Sequence, residues 1–465
     1  MGRLQLRPSH PMAPGAKNNE RKLLTAVALA AILAPLNSTM IAVALPGIVD
    51  DFNASVASAT WLVTAYLVVM ASVQPLAGKI GDGMGRRKLI LASLALFLVV
   101  SLGAALAPNI WVVLAFRVGQ ALTISIVLSN SFAILRQVVP AHRRGKTFGM
   151  VEAATGLSAA AGPLVGGLLI TISDWRAIFL VNIPFVLLGI ILAWQSLPHD
   201  SKTGAWKGFD YKGAFLLPTS LVAIAIFFLM LSRGADPALF VPVGIAAIAA
   251  SATLIKLELS HPNPVFQPRF YKIRGFAAPS VSVGTSNLSM YSLLLVVPLL
   301  LTSRGGYTEL EIGLILTSLS VGMALLTPLG GRLADKLGRR TPVVIGLSIT
   351  AIGTLFPAFG GADIGITSLI IGLGFVGVGI GLSGPGGRTS AVESIPVKDA
   401  GVASGTYSTS RYFGSIVGSA ILAGLIGIDR TNTEGIDTVF LIVTASAIIA
   451  VLAATFMKPR PAIDD

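Results

Sequence analysis

Fourteen apolar segments, most of them close to twenty residues long, constrain the fold of this chain more than any other feature. The hydrocarbon core of a bilayer holds no partners for backbone polar groups, so segments of ~20 apolar residues cross it as helices. Only 12% of the 465 residues are charged, against about 25% in soluble proteins. We therefore expect an all-α polytopic membrane protein, with predicted spans near residues 24–46, 57–77, 88–107, 110–135, 147–171, 177–197, 212–232, 238–256, 276–302, 309–329, 341–361, 365–386, 399–427 and 437–457.

A charged, glycine-rich segment occurs twice, at 78–88 and 331–341, each time between two predicted spans. The matching positions are Gly78, Asp82, Gly85, Arg86 and Arg87 in one copy and Gly331, Asp335, Gly338, Arg339 and Arg340 in the other. Such a repeat indicates a duplicated membrane protein. The two aspartates lie 253 residues apart, which is more than six spans occupy, so the seventh and eighth spans are predicted to be an insertion.

The repeat predicts the domain layout. It consists of a tail (1–20), an N-terminal six-helix bundle (21–198), a linker carrying the two inserted helices (199–274), a C-terminal six-helix bundle (275–457) and a second tail (458–465). Lysine and arginine predict its orientation, because cytoplasmic loops are enriched in both. With the N-terminus inside, 28 of the 34 fall on the cytoplasmic side and four outside. We expect a multi-pass protein of the plasma membrane with both termini cytoplasmic.

Several classes of function are not expected. The net charge of +13 follows the membrane topology and does not indicate nucleic-acid binding. There is no cysteine, and the four histidines form no spaced pair on a helix, so we expect no metal and no cofactor. No G-x-x-x-x-G-K-[ST] motif supports ATP-driven transport, and no soluble catalytic domain supports an enzyme. We expect a monomer embedded in lipid.

The repeated G-x-x-x-D-x-x-G-R-R pattern closely resembles the loop after the second helix in each half of the major facilitator superfamily. The resemblance covers nearly the whole chain, and further residues resemble the branch of fourteen-helix drug:proton antiporters. It implies export of small amphipathic compounds in exchange for protons, by alternating access. It also implies that Asp82 and Asp335 meet the starts of the thirteenth and fifth helices when the protein faces outward.

Two of the family's motifs bear on coupling. Arg117 stands three residues before Gln120-Ala121 and resembles the arginine of the fourth-helix motif, which takes part in proton coupling in the family; Ala121 replaces the usual glycine. Alternatively, Arg117 binds backbone carbonyls and holds helices together. Asn37, in Leu36–Pro46, occupies the position of a carboxylate in the first-helix motif. An amide cannot titrate, so the proton-carrying role does not transfer to Asn37.

Glu152 is the only carboxylate placed within a predicted apolar helix, about 8 Å from the cytoplasmic side. A buried glutamate can load and release protons near neutral pH; the alternative is an ion pair with the nearby basic residues. Arg411 falls near the middle of the thirteenth span. It is predicted either to attract anions or to lock one state by binding backbone carbonyls.

Gly156, Gly162, Pro163, Gly166 and Gly167 resemble the antiporter motif found chiefly in exporters, although close helix packing alone is an alternative. Candidate cavity residues are the polar and aromatic groups on apolar spans, each equally suited to an interhelical hydrogen bond: Trp61, Tyr66, Gln74, Gln120, Asn130, Asn287, Tyr291, Tyr407 and Tyr412. An importer or facilitator with the same fold is the main alternative, favoured by Asn37. The intramembrane arginines predict neutral, zwitterionic or anionic substrates.

Overall fold

The computed structural model describes residues 14–139, 141–200, 210–396, 399–426 and 433–459. These residues form fourteen long helices and no strand. The helices are α1 Pro14–Asp51, α2 Val56–Met84, α3 Arg86–Ala105, α4 Ile110–Val138, α5 Ala141–Ile172, α6 Ala177–Ser196, α7 Tyr211–Ser232, α8 Pro237–Ser260, α9 Arg274–Arg304, α10 Glu309–Leu337, α11 Arg340–Gly360, α12 Ile366–Glu393, α13 Ala400–Ile426 and α14 Thr433–Thr455.

Thirteen of these helices are long and apolar enough to cross a membrane within the described residues. In α5 the apolar stretch, Leu157–Ile172, is shorter. The helix α6 is interrupted at Val181, between Ala177–Leu180 and Asn182–Ser196. The prediction of an all-α membrane protein with about fourteen spanning helices is confirmed.

Polar residues in the short loops set where several helices begin. The side chains of Ser55, Asn109 and Asp236 accept hydrogen bonds from backbone N–H groups in the first turns of α2, α4 and α8. The helix α10 begins with a capping box, in which Thr308 and Glu311 each bind the backbone of the other. Such caps satisfy N–H groups that have no partner inside the helix.

Two helix boundaries differ from the prediction. The N-terminal tail was predicted to be irregular through residue 20, but α1 begins at Pro14. Proline suits a first helical position, and the following lysines, glutamate and arginine are good helix formers. The eighth span was predicted to end at residue 256, but α8 continues to Ser260. The polar residues of its last turn resemble a loop in the sequence, so the predicted span ended too early. In the structure Glu258 belongs to the helix.

The helices form two six-helix bundles, α1–α6 and α9–α14, with α7 and α8 inserted between them in sequence. The inserted pair is peripheral: 22% and 17% of the residues in the apolar stretches of α7 and α8 are buried, against 72% in α1 and α2. The helix α7 packs where α2 meets α13, around Thr60, Ala225 and Ala420. The helix α7 therefore contacts both bundles, whereas α8 packs mainly against α7.

The bundles meet through three helix pairs: α5 with α10, α2 with α13, and α1 with α9. We call the membrane face where α1 begins and α14 ends the tail side, and the opposite face the far side. On the far side α5 and α10 touch backbone to backbone. A Cβ atom added to Gly167 would lie 2.5 Å from the carbonyl oxygen of Glu309, so only glycine permits this approach.

The burial of α10 changes along its length. Gly313, Leu316 and Ser320 are buried, and Gly313 meets the backbone of α5, whereas Asp335 at the tail-side end is exposed. The other pair, α2 with α13, keeps its contact towards the tail side, where Gly405 lies against Pro75. The bundles therefore contact each other on the far side through α5 and α10 and nearer the tail side through α2 and α13.

Candidate transport site

Arg117 of α4 is completely buried, with none of its surface exposed. Its Nη1 atom donates to Asn37 Oδ1 at 3.0 Å and to Gln120 Oε1 at 3.2 Å. Its Nε atom donates to the carbonyl of Leu62 at 3.3 Å, and its guanidinium lies 4.3 Å from the ring centre of Tyr66. One arginine therefore joins α1, α2 and α4 through hydrogen bonds and a cation–π contact.

The cluster around Arg117 is polar but holds no counter-ion among the described residues. Arg117 Nη2 and Asn37 Nδ2 are buried and have no hydrogen-bond partner there. Burying a charge is costly unless it is paired and hydrogen-bonded. The arrangement therefore favours the approach of a group that accepts hydrogen bonds or carries negative charge.

Gln120 and Tyr66 extend the cluster within the N-terminal bundle. Gln120 Nε2 donates to Ser101 Oγ of α3 at 2.9 Å, and the Tyr66 hydroxyl donates to the carbonyl of Ala34 at 3.2 Å. Both were predicted cavity residues, and the structure places both against Arg117. Both interpretations of Arg117 remain open, because it binds carbonyl and side-chain oxygens in the same cluster.

A second polar layer crosses the interface between the bundles. Ser38 Oγ of α1 lies 3.1 Å from the hydroxyl of Tyr291 of α9. The Tyr412 hydroxyl of α13 accepts from Gln74 Nε2 of α2 at 3.1 Å and from Arg411 Nη2 at 3.0 Å. Three residues predicted from the sequence therefore contact the opposite bundle directly: Gln74, Tyr291 and Tyr412. A fourth, Arg411, binds Tyr412.

The remaining predicted cavity residues bind elsewhere. Asn130 Nδ2 donates to the carbonyls of Ala77 and Ile126, and Asn287 Nδ2 to that of Val283 in its own helix. Tyr407 packs in a small apolar cluster with Phe270, Phe276 and Ile395. Trp61 lines an apolar crevice between α2, α7 and α13. Their role in a substrate cavity stays a prediction.

The antiporter motif packs α5 against both neighbouring helices. Gly162 lies against Thr39 and Gly166 against the backbone of Met40, both in α1, while Gly167 and the carbonyl of Pro163 face α10. The motif therefore allows close approach at the interface between bundles. The side chain of Glu152 and the position of Gly156 lie outside what the structure describes, so their roles stay predictions.

The first repeated loop is tied to the end of α6. Arg86 pairs with Asp82 at 2.6 Å, and the Arg87 guanidinium donates to the carbonyls of Trp194 and Leu197. Asp200 accepts hydrogen bonds from the backbone N–H groups of Arg87 and Lys88 and thereby caps α3. Sequence reasoning missed Asp200, because it lies 113 residues from its partner in a loop without a motif.

The second loop is held by ion pairs on the tail side. Arg339 pairs with Asp335 at 2.5 Å and with Glu393, at the end of α12, at 3.0 Å. Hydrogen bonds to Glu393, and then to Asp335, raise the pKa of Arg339. Asp82 and Asp335 are 64% and 74% exposed, and each pairs with an arginine of its own loop. Their predicted contacts with helix starts stay a prediction, as do the roles of Gly78, Gly331, Gly338 and Arg340.

Sequence reasoning also missed a buried acidic pair. Glu258, in the last turn of α8, is 1% exposed, and Asp210, which caps α7, is 4% exposed. Glu152 is therefore not the only carboxylate in an apolar helix. The sequence did not predict their burial, because Glu258 immediately precedes a polar loop and Asp210 immediately follows one.

Two six-helix bundles that meet at a buried polar interface are the architecture of a polytopic membrane transporter. The family model of the Major Facilitator Superfamily matches residues 27–254 and 280–464. The chain belongs to this superfamily, as its repeated loop indicates.

Curated relatives match over most of the chain. The uncharacterized MFS-type transporter YvkA of Bacillus subtilis is 34% identical over 95% of this chain and 97% of its own. A multidrug resistance protein B homolog of Mycobacterium tuberculosis is 30% identical over 88% of this chain and 77% of its own. The tetracenomycin C resistance and export protein of Streptomyces glaucescens is 28% identical over 90% of this chain and 78% of its own.

Solved structures share the fold at lower identity. A D-xylose-proton symporter superposes with a TM-score of 0.67 and 15% identity, covering 94% of this chain and 98% of its own. A bacterial homolog of the human lysosomal transporter Spinster has a TM-score of 0.63 and 16% identity, over 95% of this chain and 96% of its own. These likenesses support the fold.

Proposed function

We propose that the protein is a secondary exporter that exchanges small amphipathic compounds for protons by alternating access. The observation that carries the proposal is the buried polar interface around Arg117, Ser38 and Tyr291, which lies between two bundles that touch backbone to backbone on the far side. The names of the mycobacterial and streptomycete relatives support export of drug-like molecules. The antiporter motif forms the glycine-lined contact of α5 with α1 and α10, and this motif also supports export.

The orientation is part of the proposal. The distribution of lysine and arginine supports a cytoplasmic tail side in a bacterial plasma membrane. A substrate would then enter from the cytoplasm or the inner leaflet and reach the layer formed by Ser38, Gln74 and Tyr412.

The positive charge of Arg117 supports neutral, zwitterionic or anionic substrates over permanent cations. Arg117 has no carboxylate partner among the described residues, and Asn37 occupies the position where related antiporters carry one. In a water-excluded site even one unbalanced charge biases binding by several kcal/mol. Transport of quaternary ammonium dyes alone, with no neutral or anionic compound moved, would reject this substrate class.

Everted vesicles and proteoliposomes test the proposal. An exporter accumulates substrate inside everted vesicles when a proton gradient is imposed, and the Glu152→Gln variant should lose this accumulation but retain counterflow. The matched control is Asp174→Asn, in an exposed loop on the far side, which should transport normally. Uptake that stops at equal concentrations inside and outside, whether or not a proton gradient is imposed, would instead support the facilitator alternative, which Asn37 favours.

A further inference from the structure

The buried acidic pair of Asp210 and Glu258 lies on the tail side, where the inserted helices meet α2. Asp210 Oδ1 accepts a hydrogen bond from the backbone N–H of Gly213 at 2.8 Å. The other oxygen of Asp210 is buried and has no hydrogen-bond partner among the described residues, while the Glu258 carboxyl lies beside the backbone of Val265 and Phe266. A buried polar atom without a partner is costly, so Asp210 Oδ2 requires a hydrogen-bond donor.

The two carboxyl groups converge on one point. A Cβ atom added to Gly213 would collide with both Glu258 Oε1 and Asp210 Oδ2, and the two side chains lie within hydrogen-bond reach of each other. Two carboxylates contain acceptors only, so that contact is a hydrogen bond only when one of them is protonated. Two adjacent buried negative charges also repel, which favours the form with a single shared proton.

The charged and titratable neighbours come from each adjoining element. Lys79 of α2 lies within electrostatic reach of both carboxyl groups, and its Nζ atom donates to the carbonyl of Asn263 at 2.6 Å. His261 Nδ1 lies 4.0 Å from Asp210 Oδ2, and the Arg269 guanidinium binds the carbonyl of Leu259. None of these groups donates a hydrogen bond to Asp210 Oδ2.

A cleft beside the pair provides access for a proton. It has a volume of about 370 Å³, includes Asp210 in its wall, and is otherwise lined by Tyr211, Lys212, Leu257, Ser260, His261 and Pro262. The cleft therefore brings the tail-side solution up to Asp210 without crossing the interface between the bundles.

We propose that Asp210 and Glu258 bind one exchangeable proton between them, and that Lys79 links this site to the repeated loop at 78–88. Binding forms one O–H bond and changes the pair from two negative charges to one; release returns the proton through the cleft. Release increases the attraction of Lys79 towards the pair and away from the Asn263 carbonyl, which acts on the end of α2. The proposal does not depend on the direction of transport or on the substrate.

Infrared difference spectroscopy on the protein in liposomes tests proton binding directly. Wild type at neutral pH should show the carbonyl stretch of a protonated, buried carboxyl group, and both Glu258→Gln and Asp210→Asn should lose it. Glu258→Asp should keep a protonated carboxyl, and Asp236→Asn should leave the band unchanged; Asp236 is the exposed cap of α8. Thermal unfolding of each variant separates loss of the proton from loss of the fold.

Three results would overturn the proposal. One is a wild type without the band, and another is a band that survives in both Glu258→Gln and Asp210→Asn. The third is a band that appears only when sodium is replaced by a large organic cation, because the pair would then bind a metal cation in place of the proton.

Titration of the band tests the link to Lys79. Removing a positive charge beside the pair makes proton binding more favourable, so in Lys79→Ala the band should persist to higher pH than in wild type. Lys212→Ala, which removes a lysine from the wall of the cleft, is the matched control and should cause a smaller shift. A Lys79→Ala midpoint that is unchanged or lower would show that Lys79 is not coupled to the site.

Discussion

At the scale of single residues, the structure shows how a membrane protein holds a charge away from water. Arg117 has no carboxylate among its described partners, and it is held by amide and carbonyl oxygens and by the face of Tyr66. The amide of Asn37 supplies the shortest of these hydrogen bonds. Asn37 is therefore expected to contribute to stability as well as to the polarity of the site.

Truncation of Asn37 tests this contribution. Asn37→Ala should lower the free energy of unfolding by about 1–3 kcal/mol, because it removes an acceptor from a buried guanidinium. Asn37→Asp keeps the acceptor and adds a counter-charge, so its unfolding temperature should equal or exceed that of wild type. The measurement is thermal unfolding of the purified protein in detergent.

Asn287→Ala is the matched control for this experiment. It makes the same chemical change at a buried amide that binds only a carbonyl of its own helix in the structure. An Asn37→Ala variant no less stable than Asn287→Ala would contradict the proposed role of Asn37.

At the scale of elements, the turn between α2 and α3 depends on one glycine. Gly85 has a φ of +91°, and a Cβ atom there would lie 2.6 Å from Asp200 Oδ2. The glycine thus allows Asp200 to cap α3 and to hold the repeated loop against the end of α6. Gly78 belongs to the same motif but has open space around it, with nothing within 4 Å of an added Cβ atom.

Alanine at the two glycines should therefore have opposite effects. Gly85→Ala should lower stability by about 1–3 kcal/mol through backbone strain and the clash with Asp200. Gly78→Ala should be neutral or slightly stabilising, since alanine favours a helix by roughly 1 kcal/mol over glycine. The measurement is the unfolding temperature of each purified variant in detergent. Equal effects would contradict the assignment of the strained position to Gly85.

At the scale of the whole molecule, contacts between the bundles define the state. Thr64 Oγ1 of α2 and Ser419 Oγ of α13 lie 2.7 Å apart on the far side, close to where α7 packs against both helices. In alternating access the bundles must separate on this side while they close on the other. The Thr64–Ser419 contact is therefore expected to break in each transport cycle.

A disulfide across this contact should stop transport. The chain contains no cysteine, so a Thr64→Cys/Ser419→Cys variant carries one defined pair and no competing thiols. Oxidation should abolish transport in proteoliposomes, and reduction should restore it. Each single-cysteine variant is a control and should be unaffected by the oxidant. Full transport by the cross-linked protein would mean that the far side does not open between α2 and α13.

Much of the architecture follows from the sequence alone. A bilayer requires every backbone polar group to be satisfied within its segment, so apolar runs of fixed length predict the helices, and the repeated loop predicts two bundles and an inserted pair. The motifs around Arg117 and Pro163 also identified residues that the structure places at helix contacts. These signals are local, and periodicity and spacing are enough to detect them.

Tertiary structure determined which polar side chains meet. Ser38 and Tyr291 are 253 residues apart in sequence, and nothing in the local sequence around Asp200, Asp210 or Glu258 distinguishes a buried carboxylate from a loop residue. Spacing along a helix likewise does not predict which polar residue reaches the opposite bundle. Gln74 does so, whereas Asn130 binds carbonyls of its own bundle. The helices packed against a helix face determine whether it is buried and whether its polar side chains find partners. That packing exists only in the assembled bundles.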